Sequence, residues 1–363
     1  MRCVGESRGI AIDIFGGLDD LPHAARALFG QDAFSTLGWY RSTIECALPP
    51  GAEPRFYLAM RDGAVLAVFP MHRNRRRLAA LATPYTCFWQ PLLAPGLDAV
   101  CLGAIGRGLA QAWRRFGVVR LEAMDGDAAW LAPLLAGLRA GGLVGLRFDH
   151  FGNWHVPVAG MGWQTYLQGR PGLLRSAIVR PTRKLVERLG ATYQLFTGLD
   201  GVELGIAAYE AVYSRSWKER EPFADFVAAH IRACAADGTL RLGVMYLDGV
   251  PIAAQFWLLH GGWACVAKLA HDEVYKGLGP GTVLSGLIVR HLLEVDHVTE
   301  LDFGRGDDDY KQLWMPQRRQ RIGVVLGNPR HYRGLLEIAR HRLGDVRRGR
   351  RNAQPEPRAG SRG

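Results

Sequence analysis

Twice along the chain the same run of local signals recurs. Arg55 to Met71 reads as two strands about the tight-turn pair Asp62-Gly63, and Leu240 to Leu259 as two strands about Asp248-Gly249. The second hairpin continues through His260-Gly261-Gly262 into a third strand, Trp263 to Asp272. A glycine-containing loop, a helix and another strand then follow in each half: Asp98 to Phe116 with Val118 to Met124, and Pro280 to Glu294 with Thr299 to Phe303. Close hairpins can only deliver antiparallel strands, so each half is expected to be a mixed, largely antiparallel sheet flanked by helices. The repeated order predicts two copies of one unit in an α/β (α+β) chain, over 1–160 and 161–345. Between them lie a helical arm, Leu173 to Leu189, a strand near Tyr193 to Phe196, and helices near Leu204 to Trp217 and Phe223 to Ala236. A last strand, Arg321 to Leu326, precedes a closing helix near Arg330 to Leu343.

The 363 residues suit two domains, and 48% apolar with 22% charged residues excludes disorder throughout. No run reaches the roughly 18 apolar residues of a membrane-spanning helix, and no secretory leader is visible, so the expectation is a cytoplasmic protein without a membrane span. The formal charge of +11 is unevenly placed. Residues 346–363 hold six arginines against Glu356, and this basic tail reads as disordered. Arg73, Arg75, Arg76 and Arg77 crowd one hairpin edge, and Arg170, Arg175, Arg180, Arg183, Lys184 and Arg188 line the arm. Such clusters either steer a phosphate-rich or anionic partner or are solvated faces that protect sheet edges, the simpler explanation. The six cysteines show no Cys-x-x-Cys spacing and the histidines no His-Glu-x-x-His, so no metal site and no disulfide framework is expected. A Gly-x-Ser-x-Gly elbow is absent, so a serine hydrolase has no support in the sequence.

Lys276-Gly277-Leu278-Gly279-Pro280-Gly281-Thr282 precedes a helix whose apolar face runs Val283, Leu284, Leu287, Ile288, His291, Leu292 and Val295. Glycines let backbone amides approach a ligand, and proline suits the first helical turn. Free amides at the positive end of a helix dipole make a pocket for phosphate oxygens. The alternative is a turn that merely starts a helix. A dinucleotide fingerprint fails, because its third glycine would fall at Thr282.

The element order, with this loop opening a helix, resembles the GNAT acyltransferase fold, whose pyrophosphate loop runs Gln/Arg-x-x-Gly-x-Gly/Ala. Lys276, Gly279 and Gly281 occupy those places, with Lys276 a departure in the first. Ser216-Trp217-Lys218, Lys268 to Tyr275, Pro280-Gly281 and Leu301 to Lys311 together look like the cellulose-biosynthesis-type acetyltransferase branch, related to the Fem aminoacyl transferases and carrying two GNAT-like units in one chain. The resemblance is carried by residues 160 to 327; before that it rests on element order alone, and the N-terminal unit is read as degenerate. It implies acyl transfer from acetyl-CoA or another acyl-CoA to an amine or hydroxyl of a small molecule, sugar or lipid-linked (exo)polysaccharide precursor. The same-fold alternative draws on aminoacyl-tRNA, the one reading that brings in nucleic acid. A noncatalytic glycan- or nucleic-acid-binding module is the alternative from another class.

Acyl transfer needs a base, donors for the oxyanion, and an acid for the departing thiolate. By position in the GNAT pattern Tyr310 is the expected acid, with packing against its neighbours as the plainer role. Asp302, at the end of a strand beside the loop, is the first expected base, and Asp307 with Asp308 the second; acids at a helix start also serve as caps. Strict alternation puts Val266, Lys268, Ala270 and Asp272 on one strand face, where Lys268 needs a partner such as Asp302 or else helps hold substrate. Lys276, Gly277, Gly279, Pro280, Gly281 and Thr282 are the expected donor-binding set. The resemblance places Trp217 and Lys218 at the acceptor side and adds Asp272, Tyr275 and Lys311. Gln255, on an otherwise apolar strand, reads as an orienting hydrogen bonder or a backbone-satisfied amide.

Overall fold

The computed structural model describes residues 9–332 and 334–340. The N-terminal half comprises β1 (Ala11–Phe15), α1 (His23–Arg26), α2 (Leu37–Cys46), β2 (Glu53–Arg61), β3 (Ala64–Asn74), β4 (Arg77–Ala80), the short β5 (Leu92–Leu93), α3 (Ala99–Trp113), β6 (Val118–Asp125), α4 (Leu131–Ala140) and β7 (Val144–Pro157). After α5 (Trp163–Gln168) and α6 (Gly172–Thr182), which runs into a π-helical turn at Arg183–Arg188, the same order returns. It consists of β8 (Thr192–Phe196), α7 (Val202–Ser214), α8 (Phe226–Ala236), β9 (Leu240–Leu247), β10 (Val250–His260), β11 (Trp263–His271), α9 (Pro280–Glu294), β12 (Glu300–Arg305), α10 (Lys311–Trp314) and β13 (Gln317–Gly327). The hairpins, the crossover helices and the strands after them stand where the turn pairs and glycine loops put them. The described residues 334–340 are helical, within the expected closing helix; its remaining residues to Leu343 and the basic tail lie outside the described residues.

All the strands join one mixed, mostly antiparallel sheet in the order β1-β2-β3-β4-β6-β13-β7-β12-β11-β10-β9-β8, with β5 beside β3. The order is symmetric about its centre. In each half three antiparallel neighbours are followed by one parallel pair, β4 with β6 and β11 with β12. The halves then exchange their last strands: β13 pairs with β6, β7 with β12, and the two exchanged strands with each other. A composite α/β sheet with no break at the centre results.

One face of the sheet is covered by α1, α2, α7 and α8, whose apolar residues make a single core across both halves. The other face carries two cores, one under α3 and α4 and one under α5, α6 and α9. At the seam Trp39 of α2 meets Phe226 and His230 of α8 edge-on, at ring centroid distances of 5.6 and 4.7 Å. Burial pushes the His230 pKa down to about 3, so the imidazole is neutral in the fold. The unfolded chain takes up a proton there near pH 6.5 and the folded chain does not, so stability is complete above that pH and is lost as pH falls toward the folded value. The expected loss by pH 5 is about 2 kcal/mol relative to pH 8. Urea midpoints at the two pH values, compared with His230→Phe, should show the drop shrinking in the variant.

None of the five described cysteines is in a disulfide; four are buried and Cys46 is partly so, as small apolar side chains would be. Among the described residues no helix is long and apolar enough to cross a membrane, and no group of His, Cys, Asp and Glu could hold a metal.

Candidate active site

β11 and β12 pair only from Trp263 to Cys265 and then diverge. Within β11 the register to β10 slips by one: Trp257 faces Val266, yet Phe256 faces Lys268, which leaves Ala267 as a bulge. The bulge overturns the expected strict alternation. Val266 falls on the face toward α9, while Cys265 and Ala270 belong to the core on the opposite face. From Val266 onward β11 has no ladder partner on its β12 side, so its main chain borders an open wedge.

Two cavities meet there, sharing Leu269 and Tyr310. The first, about 240 Å³, lies in the wedge itself, against Lys218, Lys268, Phe303, Asp308 and Lys311. Its far wall is Tyr85 and Cys87, so the N-terminal half closes the cleft of the C-terminal half. The second, about 260 Å³, is bounded by Trp217, His271 and the start of α9.

Two elements shape the second cavity. Residues Glu273–Leu278 form a short 3-10 helix rather than the open loop read from the sequence, with the Gly279 N–H bonded to the Lys276 carbonyl. Gly279 then turns the chain through φ 67° into α9, with Pro280 in its first turn and no side chain capping it. The main-chain N–H groups of Gly281 and Thr282 are consequently unspent, because the first intrahelical bond is Val283 N–H to the Gly279 carbonyl. This is a narrower set of donors than the whole span 277–282. Lys276, largely exposed and loosely paired with Glu273 at 3.3 Å, stands at the rim. Gln255 holds the helix start in place from beneath, donating to Gly281 O (2.9 Å) and Ser285 Oγ (2.6 Å) and accepting from Trp257 Nε1 (3.1 Å).

The expected Lys268–Asp302 pair does not form. Lys268 Nζ binds both oxygens of Glu221 (2.6 and 2.8 Å) and lies 4.3 Å from the Tyr85 ring centroid, while Tyr85 Oη donates to Glu221 Oε2 (2.8 Å). Those contacts fasten the loop after α7 and the N-terminal half to β11. Asp302 is 1% exposed and lines neither cavity. Its Oδ1 accepts from Asn153 Nδ2 and the Gly304 N–H, each at 2.6 Å, and its Oδ2 from Arg319 Nη2 at 2.5 Å. Buried outside both cavities and held by donors from β7 and β13, Asp302 does not reach an acceptor in the cleft, which corrects the reading of Asp302 as base. Asp307 lies outside the cleft as well, in a two-pronged pair with Arg318 (2.7 and 2.5 Å) that holds its carboxyl below the usual range.

Asp308 does line the wedge, paired at 3.2 Å with Lys311. Lys311 is buried and donates to the Arg305 carbonyl at 2.7 Å, so it fastens the strand end. Tyr310 is 41% exposed and faces both cavities; desolvation first, and the Asp308 charge second, push its phenol pKa up. Asp272 departs from the acceptor-side expectation: it is buried, caps Val274 N–H and pairs with Arg215 at 2.6 Å. Tyr275 packs against the core under α9 and lines neither cavity. Trp217, 50% exposed, is a wall of the second cavity and lies 4.4 Å from the His271 ring. Lys218 lines the first, its ammonium 5.5 Å from the Trp217 ring, with burial and the neighbouring Lys268 pulling its pKa down.

Sequence reasoning missed Glu221, Tyr85 and His271. Only the alternation along β11 hinted at a partner for Lys268, and nothing local pointed 47 residues upstream.

The N-terminal half keeps an apolar cavity of about 430 Å³ beside the start of α3, lined by Leu93, Leu97, Ala99 and Trp130, but its strand wedge is filled. There β4 and β6 pair through Arg77 to Ala79 only, and the loop crossing their divergence drives Trp89 into it, its N–H bonded to Ala123 O (2.9 Å) and its indole to Pro70 O (3.3 Å). At the start of α3 the Asp98 carboxylate already caps Cys101 N–H (2.7 Å). A negative group fills the place that amides leave open in the other half.

Residues 174–312 match the family model described as an acetyltransferase (GNAT) domain. Among solved structures, that of FemX is similar with a TM-score of 0.57 at 13% identity, covering 84% of this chain and 94% of that one. The C-terminal (DUF2156) domain of a putative lysylphosphatidylglycerol synthetase from Agrobacterium fabrum gives 0.53 at 13%, covering 83% and 90%. L-PGS from Bacillus licheniformis gives 0.53 at 13%, covering 89% and 96%. No curated protein matches the sequence. The chain thus has a GNAT-type acyltransferase fold, and nothing in these matches singles out the cellulose-biosynthesis branch.

Proposed function

We propose that the protein transfers an acyl group from an acyl-CoA thioester, acetyl-CoA or a longer homologue, to an amine or hydroxyl of a small molecule, sugar or glycan precursor. The observation that carries the reading is the pair of joined cavities: one ends at two unspent amides, the other opens on a bulged strand edge, and Tyr310 stands where they meet. The Gly281 and Thr282 amides, with Lys276 at the rim, hold the donor's diphosphate. The thioester then reaches the wedge, where unladdered main chain of β11 borders its carbonyl oxygen.

In this reading the acceptor nitrogen or oxygen attacks the thioester carbon, the carbon–sulfur bond breaks, and the thiolate takes the Tyr310 proton. A raised phenol pKa keeps that proton in place through the neutral range. Asp308, the carboxylate in the wedge wall, takes the acceptor's proton. Lys218 borders the acceptor in the wedge, Trp217 walls the donor end, and Asp302 acts only by holding β12 to β7 and β13. The N-terminal half, 1–160 in this division, supplies the Tyr85 wall and binds no donor of its own.

A Cβ at Gly281 would stand 3.2 Å from His271 Nδ1, so a large side chain there must occupy the amide end of the cavity. Acetyl-CoA is expected to raise the melting temperature of the wild type and leave Gly281→Trp unshifted. A shift that persists in the variant rejects the cradle. Likeness to FemX and to lysylphosphatidylglycerol synthetase favours one second reading, aminoacyl transfer from charged tRNA. Stabilisation by aminoacyl-tRNA but not by acetyl-CoA would replace the first reading with the second.

A further inference from the structure

The hairpin turns carry a local inconsistency. The β2–β3, β9–β10 and β10–β11 turns use Asp62-Gly63, Asp248-Gly249 and Gly261-Gly262, all with positive φ, the residues such turns favour. The β3–β4 turn, counterpart of Gly261-Gly262 in the repeat, is Arg75-Arg76, and Arg75 is held at φ 53°. An arginine at a left-handed position is disfavoured, and nothing in the turn geometry asks for it. Its charge is what the position gains.

That charge borders a concavity. Arg75, Arg76 and Arg77 lie with His72 and Arg120 around a cavity of about 710 Å³ at the β3–β4 turn and the start of β6. The catalytic cleft opens instead past the far end of the parallel pair in the other half. Glu337 is the carboxylate in its wall. Arg120 pairs with Glu122, and Arg76 contacts the His331 imidazole at 3.4 Å, but among the described residues no carboxylate pairs with Arg75, Arg76 or Arg77. A solvated edge needs neither a strained backbone nor a hollow, whereas guanidinium forks converging on one are suited to phosphate oxygens. The volume is in the range of small-molecule sites rather than of an extended polymer surface.

We propose that this cavity is a second anion site, separate from the acyl-transfer cleft, and that it takes a compact phosphoryl group, either a soluble phosphate ester or the headgroup of a phospholipid. Neither donor binding nor chemistry in the cleft depends on it.

The test compares the full-length wild type with Arg75→Gly/Arg77→Ser. Glycine relieves the turn, so the variant is expected to melt no lower than the wild type. Calorimetric titration with inorganic pyrophosphate should give a Kd about tenfold or more higher in the variant, as removal of charge-assisted contacts implies. Acetyl-CoA should stabilise both proteins equally, a control that keeps failure here distinct from failure of the cleft reading. Sedimentation with phosphatidylcholine vesicles containing phosphatidic acid separates the sources: variant-sensitive capture assigns a lipid headgroup, and pyrophosphate binding without capture assigns a soluble ester. The proposal is overturned if wild type and variant bind pyrophosphate alike, if neither binds, or if only uncharged tRNA distinguishes them.

Discussion

Arg319→Met should cost the fold about 3–5 kcal/mol, the range for removing one partner of a buried ion pair. Asp302 is almost inaccessible, and its Oδ2 has Arg319 as hydrogen-bond donor. Arg319 Nε also reaches Asn153 Oδ1 at 2.5 Å, and the Nη2 that serves Asp302 pairs with Glu300 as well, at 2.9 Å. These contacts tie β12 to β7 and β13, the strands the halves exchange, so the loss falls on the junction that makes one sheet of two units. Urea unfolding would register the loss as a lower midpoint. Pairing Arg319→Met with Asp302→Leu should recover part of it, since the uncompensated charge is gone. A single variant within about 1 kcal/mol of wild type would mean that Asp302 does not need its guanidinium.

Much of the fold is legible because its signals are local. Asp62-Gly63, Asp248-Gly249 and Gly261-Gly262 fix the hairpins through backbone conformations that few other residue pairs adopt. Pro280 and the apolar face behind it fix α9 to the residue. β7 was unreadable by the same means. Its Val144–Pro157 segment mixes apolar with charged and polar residues and is only patchily buried, and its neighbours are β12 and β13, supplied by chain more than 140 residues downstream.

The cleft divides along the same line. The loop and Tyr310 lie within one continuous stretch, so sequence order alone carries them. The Lys268 partner does not: Glu221 arrives from a loop and Tyr85 from the other half. A bulge adds one residue without any compositional mark, yet it reverses the side-chain alternation from which the faces of Lys268 and Val266 were read. The Asp302 reading failed for a related reason. Asp302 lies within β12, not at its end, and Arg319 and Asn153 occupy its oxygens from strands that no local pattern places there.

Tyr310→Phe isolates the proposed acid from the packing role that the same ring could serve. Its ring centroid lies 6.2 Å from that of Phe303, an apolar contact that phenylalanine keeps, and Tyr310 Oη has no hydrogen-bond partner among the described residues. Removing that oxygen should therefore leave stability within about 0.5 kcal/mol, the usual span for a change that breaks no buried contact. If the phenol protonates the departing thiolate, kcat with acetyl-CoA should fall about 100-fold or more while KM stays within a few-fold, since the hydroxyl acts in the transition state and not in binding. Leaving-group dependence then becomes diagnostic. A donor whose thiolate is a weaker base than that of CoA needs less protonation, so an aryl thioester should recover much of the lost rate in Tyr310→Phe and gain little in the wild type. Equal losses with both thioesters, or a drop of less than tenfold, would assign Tyr310 to shaping the junction of the two cavities instead of to proton transfer.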